Sequence, residues 1–221
     1  MKHKLIVTAD DSHTVFVEEL NEHYHSTKGA LNESLHVFIE AGLKEKTRIR
    51  NTINVLEIGF GTSLNVLLSM LESDKEQVHI NYKTIEAYPL DIELVEKLNY
   101  PQIIGGQKSI NYFREIHALE WNKEHQITPK FIFEKIKGRV EDIQLENFGD
   151  VIYFDAFAPN KQPELWTEVI FRKMYGALKE DGILTTYCAQ GDARRSMTAA
   201  GFRVEKLPGP PGKREMVRAW K

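Results

Sequence analysis

The 221 residues predict an α/β fold: a mostly parallel β-sheet covered by helices, its last strand reversed, with a hairpin placed ahead of it. Three observations carry that expectation. Short apolar, β-branched runs are followed by helical patterns again and again through the middle of the chain, and such alternation calls for crossover connections that leave neighbouring strands parallel. The C-terminal GFRVEKLPGPPGKREMVRAW holds two strand-like runs joined by a Pro/Gly-rich turn with no room for a helix, so its last strand must run antiparallel to its neighbour. Ahead of all this, two β-branched runs flank a turn-forming Asp10-Asp11-Ser12.

Taken in order, Leu5–Thr8 and His13–Val17 form the hairpin. From Gly29 to Gly42 the apolar residues Leu31, Leu35, Phe38 and Ile39 recur at helical spacing, with Ser26 as a possible cap and Gly42 as the stop. Residues 1–50 are therefore expected as an N-terminal hairpin-and-helix appendage, and residues 51–221 as a Rossmann-like domain. That domain opens with INVLEIG (Ile53 to Gly59) and the helical LNVLLSML. Further strand-then-helix pairs are expected at HINYKTIEA, KFIFEKIKG, DVIYFDAF and GILTTYCA. Gly105 to His125 is longer than a crossover needs and contains the helical INYFREIHALEW, which reads as an insertion over the pocket. A plain dinucleotide-binding fold would end in another helical crossover, whereas parallel strands closed by one reversed hairpin strand are expected of a class I methyltransferase core.

Composition sets outer bounds. With 29 Lys+Arg against 32 Asp+Glu, a net charge of -3, 42% hydrophobic and 28% charged residues, the chain is not disordered, collagenous or a coiled coil as a whole. One cysteine, Cys188 in an apolar stretch, excludes a disulfide framework and is expected as a buried thiol in a reducing compartment. No apolar run reaches the ~18 residues of a membrane span, and the N-terminal run is too short for a secretory signal, so a cytoplasmic location is expected. His13, His23, His36, His79, His117 and His125 show no converging spacing and there is no CxxC, so no metal site is expected.

Ligands of doubly wound sheets bind outside the carboxyl ends of the strands, where Glu57-Ile58-Gly59-Phe60-Gly61-Thr62-Ser63-Leu64 lies. Gly59 and Gly61 allow a ligand to press against bare backbone. A dinucleotide fingerprint wants a third glycine where Leu64 stands, which disfavours a pyrophosphate ligand. S-adenosylmethionine has no phosphate and needs only the close backbone approach, with Glu57 serving its ammonium directly or through the loop. An ordinary strand-turn-helix glycine pair is the alternative. Glu86, at the tip of the second strand, suits the ribose hydroxyls, unless it is a solvated helix-start charge before Pro89. After the third strand, Arg139, Glu141 and Asp142 follow Gly138, and Asp142 is favoured for the adenine amino group. Tyr24 and His25 precede a glycine and a helix and can close over the methionine end, or simply cap that helix. The candidate cofactor residues are thus Glu57, Gly59, Phe60, Gly61, Thr62, Glu86, Asp142 and Tyr24.

The most specific motif is DVIYFDAFAPNKQPELW, in which Asp155 ends an apolar strand and Phe157, Ala158, Pro159, Asn160, Lys161, Pro163 and Trp166 follow in a loop. With the Glu57-Ile58-Gly59-Phe60-Gly61-Thr62 loop and the N-terminal Tyr24-His25-Ser26-Thr27-Lys28-Gly29-Ala30-Leu31 followed by Glu33-Ser34, it resembles the methyltransferase half of the bacterial bifunctional enzyme that completes 5-methylaminomethyl-2-thiouridine at the tRNA wobble position. Order and spacing match over nearly the whole chain. The resemblance implies an S-adenosylmethionine-dependent tRNA methyltransferase acting on the exocyclic amine of 5-aminomethyl-(2-thio)uridine at position 34. Such relatives continue into a flavin-dependent oxidase, whereas this sequence ends at Lys221, so methyl transfer without flavin is expected, on a substrate that arrives already in the 5-aminomethyl form; a separate oxidase that supplies it is left open. Arg139 departs from the acidic residue that related enzymes often carry.

An ammonium cannot attack a sulfonium methyl, and a primary alkylamine with a lysine-like pKa of ~10.4 is mostly ammonium at neutral pH. Asp155 is the candidate catalytic residue: it can hold the amine, orient its lone pair and take the departing proton. Phe157, Pro159 and Trp166 are candidates for a slot that stacks a flipped-out base, with Lys161 beside them, although Trp166 equally suits packing of helix on sheet. From Arg194 to Lys221 eight basic residues face two acidic ones, a patch suited to anticodon-stem phosphates or a merely solvated edge. Two further functions fit the same residues less well. Aminopropyltransferases and other small-amine N-methyltransferases share the loop and strand-tip carboxylates, but DAFAPNK lacks the extra acidic groups a polyamine needs. A non-catalytic RNA-binding module would not need intact cofactor residues.

Overall fold

The computed structural model describes residues 2–221. β1 (His3–Val7) and β2 (His13–Val17) form the expected antiparallel hairpin, and β3 (Glu22–His23) adds a third short strand. A continuous helical rod follows, made of α1 (Ala30–Ser34), a π-wound stretch (Leu35–Leu43) and α2 (Lys44–Thr47). Its start is not capped by Ser26, whose hydroxyl instead accepts from the Lys28 amide at 3.1 Å. The free amides of the first turn are taken up by the hairpin turn: Asp10 accepts from Asn32 N at 2.8 Å, Ser12 from Leu31 N at 3.2 Å and Thr8 from Ala30 N at 3.4 Å. Gly42 does not end the rod either. A Cβ there would lie 3.2 Å from both Tyr153 and Thr185, so this glycine lets the rod seat closely against the sheet.

The main sheet has eight strands. β4 (Thr52–Ile58) leads through α3 (Leu64–Glu76) to β5 (His79–Glu86). Then come α4 (Ile92–Val95), α5 (Tyr100–Ile104), α6 (Gly106–Ala118), β6 (Glu124–Thr128) and β7 (Phe131–Lys137). β8 (Gly149–Phe154), α7 (Glu168–Ala177), β9 (Leu178–Thr186), α8 (Gly191–Ala199), β10 (Arg203–Pro208) and β11 (Glu215–Trp220) complete the chain. The strand order is β10-β11-β9-β8-β4-β5-β7-β6. The pairs β4/β5, β4/β8, β5/β7 and β8/β9 are parallel, and β11 runs antiparallel to both β9 and β10, the reversal the C-terminal turn predicts.

Two expectations are corrected here. No helix follows β7: residues 138–148 cross to β8 as turns, with Ile143 and Leu145 packing on the core in a helix's place. The stretch after Gly105 forms α6, packed on α3, and an added edge strand, β6, antiparallel to β7. It buries Phe113 and Ile116 behind the glycine loop and contributes no residue to the main cavity.

The pleat sends alternate residues to opposite faces of the sheet. In β8, Val151 and Tyr153 join Val55, Leu67, Tyr82 and the rod residues Val37, Phe38 and Leu43, whereas Ile152 and Phe154 join Phe171, Met174 and Met197 under α7 and α8. The hairpin residue Val15 belongs to the first of these layers, so the hairpin and rod share one core with the rest. Every residue of β8 is buried, as is Cys188.

Candidate active site

The carboxyl ends of β4, β5, β7 and β8 converge on a cavity of about 290 Å³. Its floor is the turn after β4. Gly59 and Gly61 adopt φ of +95° and +46°, and a Cβ on Gly59 would stand 2.5 Å from the Asp155 carbonyl oxygen. Only glycine fits there, because β4 and β8 come together at that point, with Asp155 N donating to Ile58 O at 3.0 Å. A Cβ on Gly61 would lie 2.9 Å from the Tyr24 ring. Phe60 and Thr62 also line the cavity, and Thr62 accepts the Tyr100 hydroxyl at 3.2 Å. Leu64 fills the space that the third glycine of a pyrophosphate site would leave open.

Glu86 ends β5 and fastens the loop from the side: it accepts from Gly61 N at 3.0 Å and from Tyr88 N at 2.8 Å. It is not a solvated helix charge. Burial raises its pKa, and the backbone amides oppose that rise. It also lines the cavity, where ribose hydroxyls would reach it. Beyond β7, Arg139 and Glu141 pair at 2.8 Å on the third wall. Asp142, favoured from the sequence, is exposed and off the cavity, because the turn after β7 sends Glu141 inward and leaves Asp142 on the outside.

The chemistry converges at the tip of β8. The Asn65 amide, in the first turn of α3, donates to Asp155 Oδ2 at 2.9 Å and to Glu57 Oε1 at 3.0 Å. Asp155 is half-buried on the cavity wall; burial and the nearby Glu33 charge push its pKa up to about 7, against the Asn65 hydrogen bond and Lys213. Glu57 is fully buried and is not on the wall; burial, aided by the Asp155 charge, lifts it to about 8. At neutral pH it is largely a neutral acid, so it supports Asn65 from behind and does not face a ligand ammonium. Asn65 is the functional residue the sequence reading missed; its signal is a polar side chain in the first turn after a glycine loop, aimed back at two strand tips.

Tyr24 and Phe157 close the remaining side, their ring centroids 4.9 Å apart and edge to face. Burial, with the Glu86 charge, keeps the Tyr24 phenol protonated. His25 also lines the cavity; burial drops its pKa to about 4, and its Nδ1 has no partner. Lys161 is on the wall, whereas Pro159 is half-buried off it. Trp166 is buried behind the loop: it packs on Phe154 and Phe171 and donates to Phe157 O at 2.8 Å, so it shapes the slot without lining it. An indole is too large to reach the wall once its ring fills the gap between α7 and β8.

The C-terminal basic run also divides. Lys213 bonds Glu33, Arg218 bonds Glu45 and Glu205, Lys221 bonds Leu178 O, and Arg203 stacks on Trp220. Arg194, Arg195 and Lys206 line a shallow groove between α8 and β10. The tail is therefore not one free patch.

The reversed β11, the Gly59/Gly61 turn and the acidic strand tips at Glu86 and Asp155 define a class I methyltransferase. The residues suit S-adenosylmethionine: the Gly59–Thr62 turn lines the cavity floor, and a carboxylate, Glu86, stands at the tip of the second strand. A family model described as S-adenosyl-L-methionine-dependent methyltransferase matches residues 106–221, and the chain belongs to that family. It is 29% identical over 236 residues to the tRNA 5-methylaminomethyl-2-thiouridine biosynthesis bifunctional protein MnmC of Leptospira interrogans, covering 96% of this chain and 34% of that protein. It is 30% identical over 206 residues to the protein of the same name in Azoarcus sp., covering 88% and 32%. The chain thus spans about a third of the length of these curated relatives. Among solved structures, MNMC2 from Aquifex aeolicus superposes with a TM-score of 0.82 at 24% identity, over 99% of this chain and 70% of that one. Spermidine synthase from Thermotoga maritima gives 0.56 at 18% identity, over 100% and 71%. Both show a shared fold. Among the described residues no helix is long and apolar enough to cross a membrane.

Proposed function

We propose that this chain methylates the primary amine of 5-aminomethyl-2-thiouridine at the tRNA wobble position, using S-adenosylmethionine and giving 5-methylaminomethyl-2-thiouridine. The observation that carries this reading is the placement of Asp155 where the glycine cradle meets the Phe157–Lys161 loop, within a chain similar along most of its length to the bifunctional proteins of that pathway. When bound, S-adenosylmethionine supplies an electrophilic methyl group on a sulfonium. Gly59, Phe60, Gly61 and Thr62 would hold it from below, Glu86 at its ribose and Glu141 at the far wall.

Asp155 then acts on the nucleophile. Its carboxylate accepts a hydrogen bond from the amine, fixes the direction of the lone pair and takes the proton that leaves nitrogen. A carboxyl group lifted to about 7 is better matched to that task at neutral pH than an ordinary aspartate, and such general-base help contributes roughly 10² to 10⁴ in rate. Most of the acceleration belongs to positioning, for which well-oriented reactants gain roughly 7–11 kcal/mol. Phe157 offers an aromatic face to an extruded base, Lys161 offers charge to the RNA backbone, and Arg194, Arg195 and Lys206 add basic groups in the separate α8/β10 groove. On this reading the protein works in the cytoplasm with tRNA as its partner, and a preceding reaction releases the primary amine it consumes.

The test uses methyl-labelled S-adenosylmethionine and tRNA from a strain lacking the final methyl. After digestion the label should appear in 5-methylaminomethyl-2-thiouridine; tRNA left unlabelled under conditions where the chain binds S-adenosylmethionine overturns the reading.

A further inference from the structure

The rod and the C-terminal hairpin, far apart in sequence, meet beside Asp155. Glu33, in α1, is only 4% exposed. One of its oxygens accepts from Ser26 N at 2.9 Å, and the other is bonded by the Lys213 ammonium, carried on the turn between β10 and β11. That ammonium also lies 3.8 Å from the centroid of the Tyr187 ring. Tyr187 in turn donates its hydroxyl to Ala156 O at 2.8 Å, one residue beyond Asp155. Because β10 runs parallel to β9, this turn stands at the same carboxyl edge as the cavity.

A primary ammonium is therefore held against a buried carboxylate and an aromatic face, next to the group assigned to take the substrate's proton. A carboxylate and a ring face are the two elements that bind alkylammonium ions when water is excluded. Glu33 and Lys213 shift the Asp155 titration in opposite directions, which places all three charges in one electrostatic neighbourhood. His25, on the cavity wall, is kept neutral by burial and has an unpartnered Nδ1.

We propose that Glu33, the Tyr187 ring and Asp155 form the binding site for the substrate's primary amine, and that Lys213 occupies it as a built-in stand-in until substrate displaces it. The inference rests on the methyl-transfer reading above and adds to it the residues that recognise the amine. A lysine side chain and a 5-aminomethyl group end in the same CH2–NH3+ unit, so a box satisfied by one suits the other. The Glu33 charge raises the Asp155 pKa, and a cation near them relieves that repulsion. Before substrate binds, that cation is Lys213. Once the substrate ammonium replaces it, Lys213 moves out with its turn, Glu33 stays as counter-ion, and Asp155 takes the proton that frees the lone pair.

The test compares the full chain with Lys213→Met, which keeps the aliphatic stem, and Glu33→Gln, which keeps an acceptor for Ser26 N. S-adenosylmethionine affinity by calorimetry is expected within twofold of wild type in both, which shows that the fold is intact. With 5-aminomethyl tRNA as substrate, Lys213→Met should lower KM several-fold, and Glu33→Gln should raise it at least tenfold. An unchanged KM in Glu33→Gln, or a raised KM in Lys213→Met, overturns the amine site while wild-type turnover still upholds the activity. Independently of turnover, acetylation of Lys213 by acetic anhydride, read by mass spectrometry, should rise when an anticodon stem-loop bearing 5-aminomethyluridine binds, but not when one bearing plain uridine does. If wild type methylates neither, the activity falls, and equal acetylation with the two RNAs then overturns the amine site as well.

Discussion

Replacing Asn65 by leucine, which is close in shape, separates positioning from mere packing. In the native protein one amide group donates to both Asp155 and Glu57, at 2.9 and 3.0 Å. The substitution leaves two acceptors without that donor, Glu57 buried and Asp155 half-buried, each costing up to about 1–3 kcal/mol, but it also removes Asn65 Oδ1, itself buried without a partner and worth a similar amount. The net loss of stability is thus about 1–3 kcal/mol, too small to unfold a domain of this size. The effect on charge is larger in consequence. The Asn65 hydrogen bond favours ionised Asp155, whose pKa stands at about 7 because burial and Glu33 raise it. A hydrogen bond to a charged group is worth about 1.5–3 kcal/mol, so its loss should raise that pKa by roughly one to two units. Asp155 acts ionised, so wild-type kcat/KM should climb with pH through about 7, and in Asn65→Leu the climb should move upward by that amount. The assay is kcat/KM for methyl transfer from pH 5.5 to 9.5, with S-adenosylmethionine affinity measured alongside. An unmoved ascending limb, or a collapse of cofactor affinity that accounts for the whole loss, refutes this reasoning.

Gly59→Ala should abolish measurable S-adenosylmethionine binding and lower the melting temperature, because φ of +95° costs of order 1–3 kcal/mol for an L residue and the new methyl meets the Asp155 carbonyl; near-normal calorimetric affinity would contradict this. Glu141→Gln should weaken S-adenosylmethionine several-fold while Asp142→Asn leaves it unchanged, and the reverse ranking would restore Asp142 to the site. Glu57 has a folded pKa of about 8, above its ordinary 4.5, so its contribution is complete below pH 4.5 and is lost as pH rises towards 8. Buried His25 and half-buried His117, lowered to about 4 and 3, weaken the fold only below about 6.5. Between pH 6.5 and 9 the wild-type melting temperature should therefore fall more steeply than that of Glu57→Gln, and parallel curves would show that Glu57 is not held as an acid.

The sheet was legible because its signals are local. Each apolar run marks one strand, and the Pro/Gly turn at Pro208–Gly212 leaves no length for a crossover, which fixes β11 as the reversed strand. The β6 edge strand was not legible, since EHQIT is mostly polar without alternation and is held by β7 alone. Gly42 misleads as a helix stop because tertiary packing on Tyr153 and Thr185 overrides its propensity. At the site, Gly59, Gly61, Glu86 and Asp155 follow from strand tips, where position in sequence gives position in space. Asn65, Glu33 and Lys213 do not, because their roles arise from contacts between elements: an α3 side chain turned back onto two strands, and an ion pair spanning the rod and the last hairpin. Trp166 and Asp142 show the limit from the other side, since a motif names residues on a loop without saying which of them face inward.

The most direct measurement is the single-turnover rate of methyl transfer to 5-aminomethyl tRNA by Asp155→Ala at pH 7.5, with S-adenosylmethionine affinity determined on the same preparation. If the carboxylate at the end of β8 handles the amine, the rate falls by roughly 10² to 10⁴ while cofactor affinity stays within a few-fold. A rate near that of wild type, or a fall matched by an equal loss of cofactor binding, would contradict it.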